Sequence, residues 1–148
     1  MSQTGKTTGT AAMFNGRNSE GRIMVVDDEP AVRKVMKLTL EKAGYDVIEA
    51  EDGEQAVQVV KSGENPLVLD VILTDIRMPK MNGLEAIQYF QQEFPHVSLI
   101  VQTGFPNIET ATSLMQHGVI AYLLKPVEKE KLLAAVSKAM KHREINHL

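Results

Sequence analysis

None of the 148 residues is a cysteine. Disulfides, thiol nucleophiles and cysteine-based zinc sites are therefore excluded. That absence fits a reducing cytoplasm, where the chain is expected to reside. No apolar run reaches the ~18 residues of a membrane span, so membrane insertion is not expected. Nor is there a basic block. The formal charge is −3, whereas phosphate neutralisation would want a basic stripe, so direct nucleic-acid binding is not expected. What remains is ordinary: 43% hydrophobic and 24% charged residues, the balance of one globular domain.

The first 21 residues differ from the rest. They are rich in Thr, Gly, Ser and Asn and show no sustained apolar periodicity, so residues 1–21 are expected to be a disordered leader. The stretch lacks the apolar centre of a signal peptide. Gly5-Lys6-Thr7 mimics the tail of a phosphate-binding loop, but the upstream glycine of that motif would fall before Met1 and no strand precedes it.

From Arg22 the pattern alternates. Short β-branched runs at 22–27, 46–50, 69–74, 98–102 and 119–123 read as strands, several of them apolar throughout, as burial on both faces requires. Between and after them, 30–43, 53–62, 83–93, 107–117 and the stretch from 128 carry helical periodicity. The first helix is expected to bury Val32, Val35, Met36, Thr39 and Leu40, the third Leu84, Ile87 and Phe90. Pro30 suits a first turn, Gly44 a C-terminal cap and Asn107 an N-cap. Repeated βα units imply a parallel sheet in a doubly wound α/β fold.

Ligands bind beyond the carboxyl ends of such strands. Asp27 and Asp28, Asp75, Thr103 and Lys125 all stand at such ends. Three carboxylates, a hydroxyl and an ammonium make a poor core, but they suit a divalent cation and a phosphoryl group. Adjacent strand residues normally point to opposite faces, so Asp27 and Asp28 approach one site only if the chain turns at Glu29-Pro30. Taken alone, the pair would simply cap the following helix. With Asp75 on a neighbouring strand, Mg²⁺ becomes the fitting ligand, being hard and oxygen-seeking. Asp75 is the best nucleophile, since a carboxylate can attack phosphorus to give an acyl phosphate. Lys125 would supply fixed positive charge, Thr103 a hydroxyl donor, and Gly104 room beside it. Pro79 and Asn82-Gly83 force turns after Asp75, which would keep the Arg77 backbone carbonyl near the metal.

Jointly, Val25-Val26-Asp27-Asp28-Glu29, Glu51-Asp52-Gly53, Asp75-Ile76-Arg77-Met78-Pro79 with Asn82-Gly83, Thr103-Gly104 and Tyr122 with Lys125-Pro126 resemble the receiver domain of two-component response regulators. The resemblance runs over about 22–143, leaving 144–148 as a C-terminal tail. It implies a flavodoxin-like five-stranded sheet of order 2-1-3-4-5, with Asp75 as phosphoacceptor. Asp28, Asp75 and the Arg77 carbonyl would contact Mg²⁺, and Asp27 would act mainly through water. Thr103 and Lys125 would bind the phosphoryl group, and the Lys125-Pro126 peptide would be cis. The phosphoryl donor would be a histidine kinase or histidine phosphotransfer protein. Thr103 and Tyr122 would form the switch, acting on the face made by 107–117, 119–123 and the last helix. That face would bind a downstream target protein or a second copy of the chain, the latter as a phosphorylation-dependent homodimer.

Such a chain is not an enzyme toward a separate substrate; it handles its own aspartyl phosphate. It is expected to act as a stand-alone relay. The alternative is the receiver of a larger transcriptional regulator, since Arg77-Met78-Pro79 resembles receivers of sigma-54-dependent activators. A phosphatase of the haloacid dehalogenase type would need Asp where Arg77 stands. The 62–69 stretch is longer than the family usually has and is expected to bulge. Phe105 is bulky near the pocket mouth and, with Arg77, holds positions the family uses to tune dephosphorylation.

Overall fold

A computed structural model describes residues 19–77 and 83–147. Residues 1–18, most of the expected leader, residues 78–82, where turns are expected at Pro79 and Asn82, and Leu148 lie outside the described residues. Glu20 and Gly21, placed by the sequence in the leader, are bonded to the domain: the Glu20 N–H donates to the Gly44 carbonyl and the Gly21 carbonyl accepts from Asp46 N–H, each at 2.9 Å.

Five strands form one parallel sheet of order β2-β1-β3-β4-β5. They are β1 (Arg22–Val26), β2 (Asp46–Ala50), β3 (Leu69–Asp75), β4 (Ser98–Thr103) and β5 (Ala121–Leu124). The helices are α1 (Pro30–Lys42), α2 (Gly53–Lys61), the short α3 (Asn65–Val68), α4 (Gly83–Glu93), α5 (Ile108–Gln116) and α6 (Lys129–His147). The strand order, with helices covering the sheet, is that of a flavodoxin-like doubly wound fold. Helix α6 continues past residue 143.

Period-two alternation divides the core between the faces. Met24, Val26, Ile72, Leu99 and Val101 pack with Ala56, Val60, Ile87 and Phe90 under α2, α4 and α5. Their neighbours Ile23, Val25, Val71, Leu73 and Ile100 pack with Met36, Leu40, Leu132 and Val136 under α1 and α6. Each such apolar side chain contributes about 1.5–3 kcal/mol on burial. The central strands β1, β3 and β4 are buried on both faces, while β2 and β5 lie at the edges, which explains the unbroken apolar runs at the centre.

Helix ends follow local chemistry. The Asp52 carboxylate caps α2 by accepting from Gln55 N–H at 2.8 Å. Asn107 caps α5 by accepting from Thr110 N–H at 3.0 Å. Gly44, just past α1, has φ +100°, a conformation that favours glycine.

Two expected core residues are exposed, Val35 at 64% and Leu84 at 42%, while Val32 and Thr39 are only half-buried. Val35 and Leu84 each stand at the margin of a helix's apolar stripe, where α6 and α5 leave a groove. The 62–69 stretch does not form an open bulge. Pro66 lies in the first turn of the single-turn α3, and Arg22 ties it down, donating to Asn65 Oδ1 at 2.9 Å and Glu64 Oε1 at 3.1 Å while its Nε holds Asp46 at 2.7 Å.

Arg22→Ala should therefore loosen α3 before the rest of the fold. Global stability should fall by about 1–2 kcal/mol, the scale for partly exposed charged hydrogen bonds. Amide exchange at residues 65–68 should accelerate more than exchange in β3, as hydrogen-exchange mass spectrometry would show.

Candidate functional site

The sheet order reverses between β1 and β3, and the crevice at their carboxyl ends is where this topology binds ligands. Register places the acids there. Val26 pairs with Thr74, so the next residues, Asp27 and Asp75, lie side by side. Asp75 in turn pairs with Gln102, and Thr103 with Leu124.

Asp27 is fully buried and Asp75 nearly so, at 0% and 5% exposure. Asp28 is exposed. Even so, one carboxylate oxygen from each of the three lies within 4.8 Å of the others. The chain does turn after β1: Asp27 Oδ1 accepts from Glu29 N–H at 2.9 Å, and Arg33 donates to the Asp27 carbonyl at 2.6 Å. Asp75 makes a parallel turn, its Oδ1 accepting from Arg77 N–H at 2.9 Å. This brings the Arg77 backbone beside the acids.

Lys125 Nζ reaches both buried carboxylates, 2.6 Å from Asp27 Oδ2 and 2.5 Å from Asp75 Oδ2, with Glu29 at 3.8 Å. It is not a solvated surface charge. Burial works against its ammonium, but hydrogen bonds and attraction from Asp27 and Asp75 outweigh it and raise its pKa above the ordinary lysine value. The Lys125-Pro126 peptide is cis. Lys125 N–H also donates to the Thr103 carbonyl at 2.8 Å, joining the two strand ends.

Thr103 is buried, and its Oγ1 accepts from Phe105 N–H at 3.0 Å. In this state it is a turn hydroxyl whose own proton remains available to donate. Beside it a cavity of about 360 Å³ is lined by Ile76, Arg77, Thr103, Phe105, Thr110 and Tyr122 among others. Tyr122 stands half-buried at its edge, its hydroxyl accepting from Asn107 N–H at 3.3 Å. Arg77 stacks on Phe105, guanidinium carbon 4.2 Å from the ring centroid, a contact worth about 0.5–1 kcal/mol at an exposed site. A Cβ at Gly104 would meet only Lys125 Cβ at 3.9 Å, an ordinary contact, so the neighbours do not demand glycine there.

The fold thus brings Asp27, Asp28, Asp75, Arg77, Thr103 and Lys125 together, with Tyr122 behind Thr103. The donor set fits a small hard cation: three carboxylates converge, and among the described residues the cation that reaches the two buried ones is Lys125. Two participants were not evident in the sequence. Arg33 braces the Asp27 backbone from α1. Gln102, fully buried, donates from Nε2 to Asp27 Oδ2 at 3.3 Å. Its only sequence signal was an amide interrupting the apolar run 99–101.

A family model described as response regulator receiver domain matches residues 23–137. The transcriptional regulatory protein GlrR of Escherichia coli K12 is 32% identical over 118 residues, covering 80% of this chain and 26% of GlrR. The DNA-binding transcriptional regulator NtrC of the same organism is 34% identical over 122 residues, 82% of this chain and 25% of NtrC. This chain therefore spans about a quarter of the length of these relatives. Among solved structures, a receiver domain protein from Clostridium thermocellum has a TM-score of 0.78 at 30% identity, covering 84% of this chain and 98% of that one. The chemotaxis response regulator CheY4 of Vibrio cholerae has a TM-score of 0.70 at 26% identity, covering 80% and 98%.

The raised Lys125 pKa has a consequence for stability. Its contribution is fully present below the unfolded lysine pKa of ~10.4 and is lost as pH rises through the higher folded value. Wild type should therefore lose stability in that alkaline window more steeply than Lys125→Met. Denaturant midpoints measured across the window in both proteins check this.

Proposed function

Because this chain belongs to the response regulator receiver domains, we propose that it accepts a phosphoryl group on Asp75 and thereby changes its affinity for a target protein. The observation that carries this reading is Lys125 held between Asp27 and Asp75, with Thr103 on the next strand. The donor is the phosphohistidine of a histidine kinase or phosphotransfer protein. A carboxylate oxygen of Asp75 forms a bond to phosphorus as the phosphorus–nitrogen bond breaks, and the electron pair returns to the imidazole nitrogen. Lys125 follows the developing charge onto the phosphoryl oxygens. The Thr103 hydroxyl donates to another of them, leaving the Phe105 turn.

Asp28, Asp75 and the Arg77 carbonyl would hold Mg²⁺, with Asp27 acting through water. When bound, the ion supplies neutralising charge on the phosphoryl oxygens. The chain turns over no separate substrate. Arg77 stands where a second aspartate would be needed for a phosphatase.

Movement of Thr103 draws on the loop Gly104-Phe105-Pro106-Asn107, which leads into α5. Tyr122 lines the same 360 Å³ cavity as Thr103, into which its ring can move. The readout face is then α5, β5 and α6, and its occupant is a target protein or a second copy about a twofold axis. The exposed Ile108 and Leu124, at 85% and 55%, belong to that face. The chain works in the cytoplasm, without direct nucleic-acid contact of its own.

A stand-alone relay and a receiver within a longer regulator share all of this chemistry. The second reading is favoured by the similarity to GlrR and NtrC, of which the chain covers about a quarter.

With Mg²⁺ and a small acyl or amidophosphate, intact-mass spectrometry should find one phosphoryl group on the wild type. It should find none on Asp75→Asn, and none on either protein when the metal is chelated. Equal labelling of the asparagine variant would overturn the assignment.

A further inference from the structure

Gln102 sits where the apolar core under α1 and α6 meets the acid site. It lies two residues beyond Ile100, on the same face of β4, and is fully buried. A methionine or leucine would simply extend that core. The amide instead leaves its carbonyl oxygen Oε1 buried with no partner among the described residues, which is unfavourable. Its side-chain hydrogen bond runs from Nε2 to Asp27 Oδ2 at 3.3 Å. The reverse amide orientation would set one acceptor against another, so the chemistry fixes this one.

The same Asp27 oxygen also receives Lys125, at 2.6 Å. Asp27 Oδ2 is therefore served by two donors that differ in kind. The ammonium ends a long side chain and is shared with Asp75; the amide is neutral and carried by a strand residue. On the reading that Asp75 takes a phosphoryl group, the phosphoryl oxygens compete for Lys125. Any weakening of its hold leaves a wholly buried carboxylate oxygen dependent on Gln102.

We propose that Gln102 is a positioning residue that keeps the Asp27 carboxylate oriented and solvated when Lys125 is drawn to a phosphoryl group on Asp75. It acts through Asp27 and touches neither the phosphoryl group nor its donor. The orphaned Oε1 is the concession made to bring the N–H donor there.

The test uses beryllofluoride with Mg²⁺ as a phosphoryl mimic, titrated against wild type, Gln102→Met and Ser98→Ala. Ser98 lies on the same strand, is also buried, and donates to the Ala139 carbonyl at 3.2 Å, away from the site. Gln102→Met should bind the mimic about tenfold more weakly, the lower end for a hydrogen bond to a charged group. Its thermal midpoint should be unchanged or raised, because the orphaned carbonyl is gone. Ser98→Ala should lower the midpoint and leave mimic affinity unchanged.

Equal mimic affinity in Gln102→Met and wild type would overturn the proposal, as would an equal loss in Ser98→Ala. Should Gln102→Met fail to fold, the wild type still decides: the Gln102 side-chain amide resonances must shift when the mimic binds, and resonances that stay put overturn the proposal. Failure of the wild type itself to bind the mimic would instead overturn the phosphoryl-acceptor reading, and this inference with it.

Discussion

One ammonium group, Lys125 Nζ, lies 2.6 Å from Asp27 and 2.5 Å from Asp75, and both acids are withdrawn from water. Desolvating a carboxylate costs several kcal/mol even after relaxation. Two at neighbouring strand ends would repel as well. The lysine between them makes the arrangement tolerable, yet it leaves Asp28 in the same cluster without a place on that ammonium among the described contacts. The site is thus built to remain short of positive charge. That shortage favours a divalent cation, and the shared lysine can serve a new anion on Asp75 without a long excursion.

The rest of the fold serves this arrangement. Parallel register sets Asp27 beside Asp75 and Asp75 beside Gln102. The reversal of strand order between β1 and β3 opens the crevice above them. The turns at Glu29 and Arg77 lend backbone N–H groups to the outer oxygens, so each buried carboxylate has one oxygen fixed by backbone and the other facing Lys125. Thr103, in the adjoining turn, links this electrostatic centre to α5 through a short loop. On the proposed reading, that loop is the route from a charge event at Asp75 to the exposed Ile108 of α5.

The central strands were legible in the sequence, as were the site residues at strand ends: Asp27, Asp28, Asp75 and Thr103 on the central strands and Lys125 after the edge strand β5. Strands buried on both faces leave unbroken apolar runs, and polar residues at the ends of such runs stand out. Helical stripes were legible at their centres, as Leu40, Ile87 and Phe90 show, but not at their margins. Val35 and Leu84 fit the period, yet neighbouring helices do not reach them; Val35 lines a groove of about 530 Å³ with Val32, Pro126 and Leu132. The single turn α3 is too short to carry a period, and its anchor, Arg22, comes from a distant strand. Strand β5 begins at Ala121 rather than 119, because Val119 N–H still closes the end of α5 by donating to the Leu114 carbonyl at 3.0 Å. Gln102 was hidden for a similar reason: only the fold shows which carboxylate its amide meets.

The central claim is that Lys125 and Asp75 are energetically coupled within a buried charge cluster. A double-mutant cycle on folding stability, with Lys125→Met, Asp75→Asn and the pair, measured without divalent metal, tests it most directly. The account predicts that Lys125→Met alone is the costlier change, because it strands two buried carboxylates, and that adding Asp75→Asn recovers part of the loss. The coupling should be about 1 kcal/mol or more, within the range for residues of one ion-pair network. Additivity within about 0.3–0.5 kcal/mol, the behaviour of independent sites, would contradict it.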